Sequence, residues 1–82
     1  MVKISFDSTF KLTFSKIKDK ALKTRILKHI SKIKDNPEIG KPMKYVRKGT
    51  REVYVSPYRL SYIYDRNKEI IVILDIYHKD EQ

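Results

Sequence analysis

The sequence predicts an α+β domain: an N-terminal strand and a helical hairpin packed on a four-stranded antiparallel meander. Three observations predict it. Residues 2–6 alternate apolar and polar. Between residues 8 and 34 the apolar side chains recur every three or four positions, the period of a helix. From Met43 onward the period falls to two, and all six tyrosines (45, 54, 58, 62, 64 and 77) lie in that half, where strands favour them. No repeat, low-complexity segment or linker interrupts the chain, so residues 1–82 read as a single domain.

Taken in order, Val2, Ile4 and Phe6 against Lys3 and Ser5 make a short strand. Asp7 or Ser8 caps the helix that follows, with Phe10, Phe14 and Ile17 on one face to about Lys18. Asp19 caps the next helix, Lys20 to Lys34. Its stripe is Leu22, Ile26, Ile30 and Ile33, with Lys20, Thr24, Lys28 and Ser31 opposite. The joint between the helices is so short that they should form an antiparallel hairpin. His29 shares the Leu22 and Ile33 stripe and reads as a packing histidine. Asn36-Pro37 ends the helix, because a residue before proline is pushed out of helical backbone. Gly40-Lys41-Pro42 is a turn. The meander strands are then Met43 to about Arg47, Arg51 to Val55, Tyr58 to Tyr64 and Glu69 to Tyr77, separated by Lys48-Gly49, Ser56-Pro57 and Asp65-Arg66-Asn67. The last strand is apolar on both faces and belongs in the middle of the sheet.

The charge is unevenly placed. The chain carries +9 overall, but residues 1–48 hold fourteen basic and four acidic side chains while residues 49–82 hold five and six. A local excess of that size favours a polyanion, nucleic acid before membrane, set against plain solubility as the alternative. No cysteine is present, so there is neither a disulfide framework nor a thiolate metal site. No apolar run approaches the ~18 residues of a membrane span, and the first residues lack a signal-peptide core. The expectation is a soluble, cytoplasmic protein without a cofactor.

Several familiar chemistries are missing. The glycines are Gly40 and Gly49 alone, too few for a phosphate loop, and two histidines forty-nine positions apart make no zinc site. What stands out is Arg59, inside the third meander strand. Leu60, Tyr62 and Tyr64 point one way, so Arg59, Ser61 and Ile63 point the other, to a face left partly uncovered by the helices. An arginine there either takes an ion-pair partner, Asp65 or Asp75, or presents its rigid fork of donors to a phosphate. If Val53 and Val55 face the helices, Glu52 and Tyr54 share the open face with Arg59, and Tyr54 is placed to stack on a base. His78 and Lys79 come at the rim where the last strand runs out. Histidine can move a proton near neutral pH, and lysine can hold a phosphate. Lys41, Lys44, Arg47 and Lys48, with Arg51 on the next strand, form a basic cluster suited to RNA phosphates.

These residues resemble the RelE/ParE superfamily of toxins from type II toxin–antitoxin pairs. The resemblance rests on Lys41-Pro42-Met43 after the helices, Tyr58-Arg59-Leu60 with Tyr62 and Tyr64 behind it, and the closing Ile76-Tyr77-His78-Lys79-Asp80-Glu81. Each motif is short, but three occur in order over essentially the whole chain. The resemblance implies a ribosome-dependent endoribonuclease, an mRNA interferase in which the ribose 2′-hydroxyl attacks the adjacent phosphate without a metal. It places Arg59 on the strand arginine that stabilises the transition state, Lys79 on the following basic residue, and His78 on the general acid or base of the YoeB-like branch. It also implies a RelB-like antitoxin as partner, with operator DNA bound only by the toxin–antitoxin complex. Where RelE carries two lysines, this chain has Glu52 and Tyr54. That substitution keeps two alternatives open: a ParE-like toxin that inhibits DNA gyrase, and a degenerate member acting as co-repressor.

Overall fold

The structure is a computed structural model and describes residues 2–45 and 48–81. Strand β1 (Lys3–Phe6) leads into helix α1 (Ser8–Lys16), helix α2 (Lys20–Asp35), and strands β2 (Lys41–Pro42), β3 (Arg51–Val55), β4 (Tyr58–Asp65) and β5 (Ile70–His78). A 3-10 turn, Lys79–Glu81, follows. The five strands form one sheet in the order β1-β5-β4-β3-β2. β1 lies parallel to β5 at its edge, and the meander pairs antiparallel throughout.

Local chemistry sets the boundaries. Asp7 caps α1 by accepting from the Thr9 N–H at 3.0 Å, and Asp19 caps α2 by accepting from the Leu22 N–H at 3.1 Å. Asn36 closes α2 one residue before Pro37. The stripe Leu22, Ile26, Ile30 and Ile33 is buried as a unit, together with Phe10 of α1 and with Val55, Leu60, Tyr62, Ile71, Ile73 and Ile76 of the sheet. Both helices therefore cover one sheet face. Phe6, Phe10 and Phe14 stack along that layer with ring centroids 5.6 and 5.4 Å apart. His29, half-buried beside the stripe, bonds the Arg25 carbonyl through Nδ1 at 2.9 Å.

The first meander strand differs from expectation. It comprises Lys41 and Pro42, opposite Glu52 and Arg51, rather than Met43 to Arg47. The Met43 N–H still bonds the Thr50 carbonyl at 2.9 Å, but Tyr45 takes a φ of 60°, and left-handed backbone cannot extend a strand. Val46 and Arg47, the end of the expected strand, lie outside the described residues.

One irregularity governs the far end of the sheet. Ser61 faces Asp75 but Tyr62 faces Ile73, so Leu74 is an extra residue, a bulge on β5. Before the bulge Ile71 and Ile73 face the core; after it Ile76 does. Strict alternation would send Ile76 and His78 to the open face. The bulge sends Tyr77 there instead and turns His78 back toward the helices.

Candidate functional site

Two cross-strand rows build the open face. Tyr54, Arg59 and Tyr77 stand side by side on β3, β4 and β5, and Glu52, Ser61 and Asp75 stand in the row beside them. Diagonal neighbours on one face are close enough for long side chains to meet. Arg59 Nη1 accordingly lies 4.0 Å from Glu52 Oε1. The ion-pair partner of Arg59 is thus Glu52, and neither Asp65 nor Asp75 as the sequence suggested. Tyr77 reaches across β4 and donates its hydroxyl to Glu52 Oε2. The Glu52 side chain is 2% exposed and that of Arg59 36%, so the carboxylate is a buried anchor and the guanidinium an accessible head. Arg59 Nε and Ser61 Oγ are buried without a hydrogen-bond partner among the described residues. The guanidinium carbon sits 5.6 Å from the centre of the Tyr54 ring, whose hydroxyl lies 3.4 Å from Ser56 Oγ.

Above this floor lies a groove of about 410 Å³, lined by Lys41, Pro42, Met43, Lys44, Tyr45, Glu52 and Arg59. Its rim is the segment that follows α2, and several contacts fix that segment. The Tyr62 hydroxyl donates to the Pro37 carbonyl at 2.7 Å. Arg51 Nη1 donates to the carbonyls of Glu38 and Gly40 at 3.1 and 2.8 Å, and Arg66 pairs with the Glu38 carboxylate. Arg51, placed by the sequence among the RNA-binding residues, holds the loop instead of facing the groove. Burial pushes the Tyr62 phenol above its usual range, against the opposing pull of the Gly40 N–H and the Arg51 charge.

The expected site residues thus divide. Lys41, Lys44, Glu52 and Arg59 meet at the groove, with Tyr54 beside Arg59. Lys48 lines a neighbouring hollow with Met43, Lys44 and Tyr45. Arg47 lies outside the described residues. His78 is on the opposite sheet face: its ring meets Tyr58 edge-on at 5.6 Å, its Nδ1 accepts from the Asp80 N–H at 3.2 Å, and it lines a hollow with Ile17, Asp19 and Leu22. Lys79 is exposed past the strand, its N–H bonded to the Pro57 carbonyl at 3.0 Å. Sequence reasoning passed over Tyr77 as part of the Arg59 cluster, because only the bulge brings it there, and Tyr45 as a groove residue.

A family model described as the ParE toxin of the parDE type II toxin–antitoxin system matches residues 4–82. The chain belongs to this toxin family. Its fold is shared with structures of related systems. The RelBE2 toxin–antitoxin complex from Mycobacterium tuberculosis is similar at 22% identity and a TM-score of 0.83, over 95% of this chain and 98% of that one. The intact E. coli RelBE complex aligns at 15% identity and a TM-score of 0.79, covering 95% and 96% of the two chains. The YoeB–YefM complex from Staphylococcus aureus aligns at 25% identity and a TM-score of 0.75, over 95% and 98%. No curated protein matches the sequence significantly. In the described part of this ParE-family chain, no helix is long and apolar enough to cross a membrane.

Proposed function

We propose that this toxin is a ribosome-dependent endoribonuclease whose substrate strand lies in the groove over Arg59. The carrying observation is a half-exposed guanidinium on a strand, pinned from below by a buried carboxylate and opening to a groove rimmed by Lys41 and Lys44. In this reading the ribose 2′-hydroxyl attacks the adjacent phosphorus, forming a 2′,3′-cyclic phosphate as the bond to the 5′-oxygen breaks. One proton leaves the 2′-oxygen and one joins the 5′-oxygen. Arg59 faces the charge that develops on the phosphoryl oxygens, and a fixed cation there needs no reorganisation during the step. Glu52 and Tyr77 act on the reaction through Arg59, holding its head in place. Lys41 and Lys44 take the flanking phosphates. His78 and Lys79 reach the strand only where it passes the end of β5.

The partner in this reading is an antitoxin with an acidic segment, drawn to the +10 of residues 1–48 and covering the Arg59 face. Two of the related structures are themselves toxin–antitoxin complexes, which supports an antitoxin as the partner. A complex whose affinity is the same in 50 mM and 1 M salt would remove the electrostatic part, because exposed charges are screened within ~3 Å at 1 M.

A second reading, gyrase inhibition, is favoured by one observation: the family matched is ParE. Parallel assays separate the two. Cleavage of ribosome-bound transcript by the purified toxin supports the first, with loss of cleavage in Arg59→Ala. Inhibition of gyrase supercoiling without cleavage supports the second. Neutralising Lys41 and Lys44 together should also lower the salt slope of RNA binding by about 0.7 per lost contact.

A further inference from the structure

Tyr45 is an aromatic residue whose position the packing of the fold does not account for. It is 89% exposed, the highest value among the exposed large hydrophobic side chains of the described residues. Its φ of 60° is left-handed, a region that ordinary side chains avoid. Its carbonyl accepts from the Lys48 N–H at 3.0 Å. The residue sits between two hollows. One is the groove over Arg59 and Glu52; the other, of about 480 Å³, is lined by Met43, Lys44, Tyr45 and Lys48. From Ile39 to Arg51 the sequence has no acidic residue.

We propose that Tyr45 is a stacking platform for one nucleobase of a single-stranded RNA, with Lys44 and Lys48 binding the phosphates on either side. The inference rests on the RNA reading above and adds a subsite to it. Strained backbone that displays a ring to solvent is the kind of feature retained for a ligand, since it contributes nothing to packing. A base presents an apolar face to the ring and an anion to each side, which matches an aromatic between two lysines. Tyr54, the stacking residue suggested by the sequence, is already engaged by the Arg59 guanidinium. Tyr45 has no such contact among the described residues.

The test is binding of a fluorescently labelled single-stranded RNA oligonucleotide to the intact protein, followed by anisotropy at several salt concentrations. Tyr45→Phe should bind within about twofold of the parent. Tyr45→Gly should bind about tenfold or more weakly, with an unchanged salt slope. Its melting temperature should not fall, because glycine accepts the left-handed backbone. Lys44→Gln should instead flatten the slope. If Tyr45→Gly binds like the parent, the stacking subsite is wrong while the RNA reading stands. If Tyr45→Gly flattens the slope as Lys44→Gln does, or melts at a lower temperature, the ring only shapes the loop, and the proposal fails. An acidic peptide that binds in place of RNA and depends on the ring would reassign Tyr45 to a protein partner. If the parent binds no RNA at all, the RNA reading itself falls.

Discussion

The Gly40 N–H donates to the Tyr62 hydroxyl at 2.9 Å, and a Cβ built on Gly40 would lie 2.6 Å from that same oxygen. Backbone and ring are so close that only glycine fits. The contact ties the loop after α2, which carries Lys41 and Lys44 to the groove, to a residue fully buried under the helices. Gly40→Ala should therefore push the ring or the loop aside and destabilise the fold by about 1–3 kcal/mol, the usual cost of overpacking. Urea unfolding checks this: the midpoint should fall, and the lysine rim should shift even where the protein stays folded.

The same phenol makes stability depend on alkaline pH. Its folded pKa is raised, chiefly by burial, so its contribution is fully present below the unfolded tyrosine value near ~10. Above that pH the unfolded chain loses the phenolic proton first, and stability declines as pH rises toward the folded pKa. Unfolding midpoints measured between pH 8 and 11 should fall less steeply for Tyr62→Phe than for the parent. That variant should start lower at pH 8, by about 1–3 kcal/mol, because the Gly40 N–H and Pro37 carbonyl lose their partner.

Arg59→Ala should slow transcript cleavage by on the order of a hundredfold, the usual effect of removing one charge-stabilising donor. The fold should survive with a loss of about 1–3 kcal/mol, since the guanidinium is over a third exposed but its removal takes a cation from the buried Glu52 carboxylate. Single-turnover cleavage and thermal melting of the same preparation test both halves.

Tyr77→Phe acts from the other side of the cluster. It removes the hydroxyl donated to the buried Glu52 carboxylate and should destabilise the protein by about 1–3 kcal/mol. If Glu52 holds Arg59 for the chemistry, the variant should also lose kcat while its RNA affinity stays near the parent value. A loss of stability alone would confine Tyr77 to folding.

Much of this arrangement could be read from the residues. The two helices announce themselves through the stripe of Leu22, Ile26, Ile30 and Ile33, and through Asp7, Asp19 and Asn36-Pro37 at their ends. Alternation alone put Glu52, Tyr54 and Arg59 on one face. Other features come from pairing between distant segments, which no local pattern encodes. The bulge at Leu74 decides that Tyr77 rather than His78 joins Arg59, and nothing in the run Ile70–Ile76 marks where an extra residue falls. The choice of Glu52 over Asp75 depends on which diagonal across β4 closes. The short β2 follows from a backbone turn at Tyr45, a residue type that rarely adopts it.

The parallel pairing of β1 with β5 sets an order of events during synthesis. Lys3 lies opposite Ile70 and Phe6 opposite Ile73, so β1 is translated well before the strand it pairs with. Until β5 emerges, β1 has no strand beside it, β4 has a bare edge, and Glu52 lacks the Tyr77 hydroxyl. Contacts so distant in sequence close slowly, and the unpaired edges stay exposed meanwhile. A nascent toxin chain consequently lacks a finished Arg59 cluster while it is being made, and it presents an open strand to any partner that reaches it first.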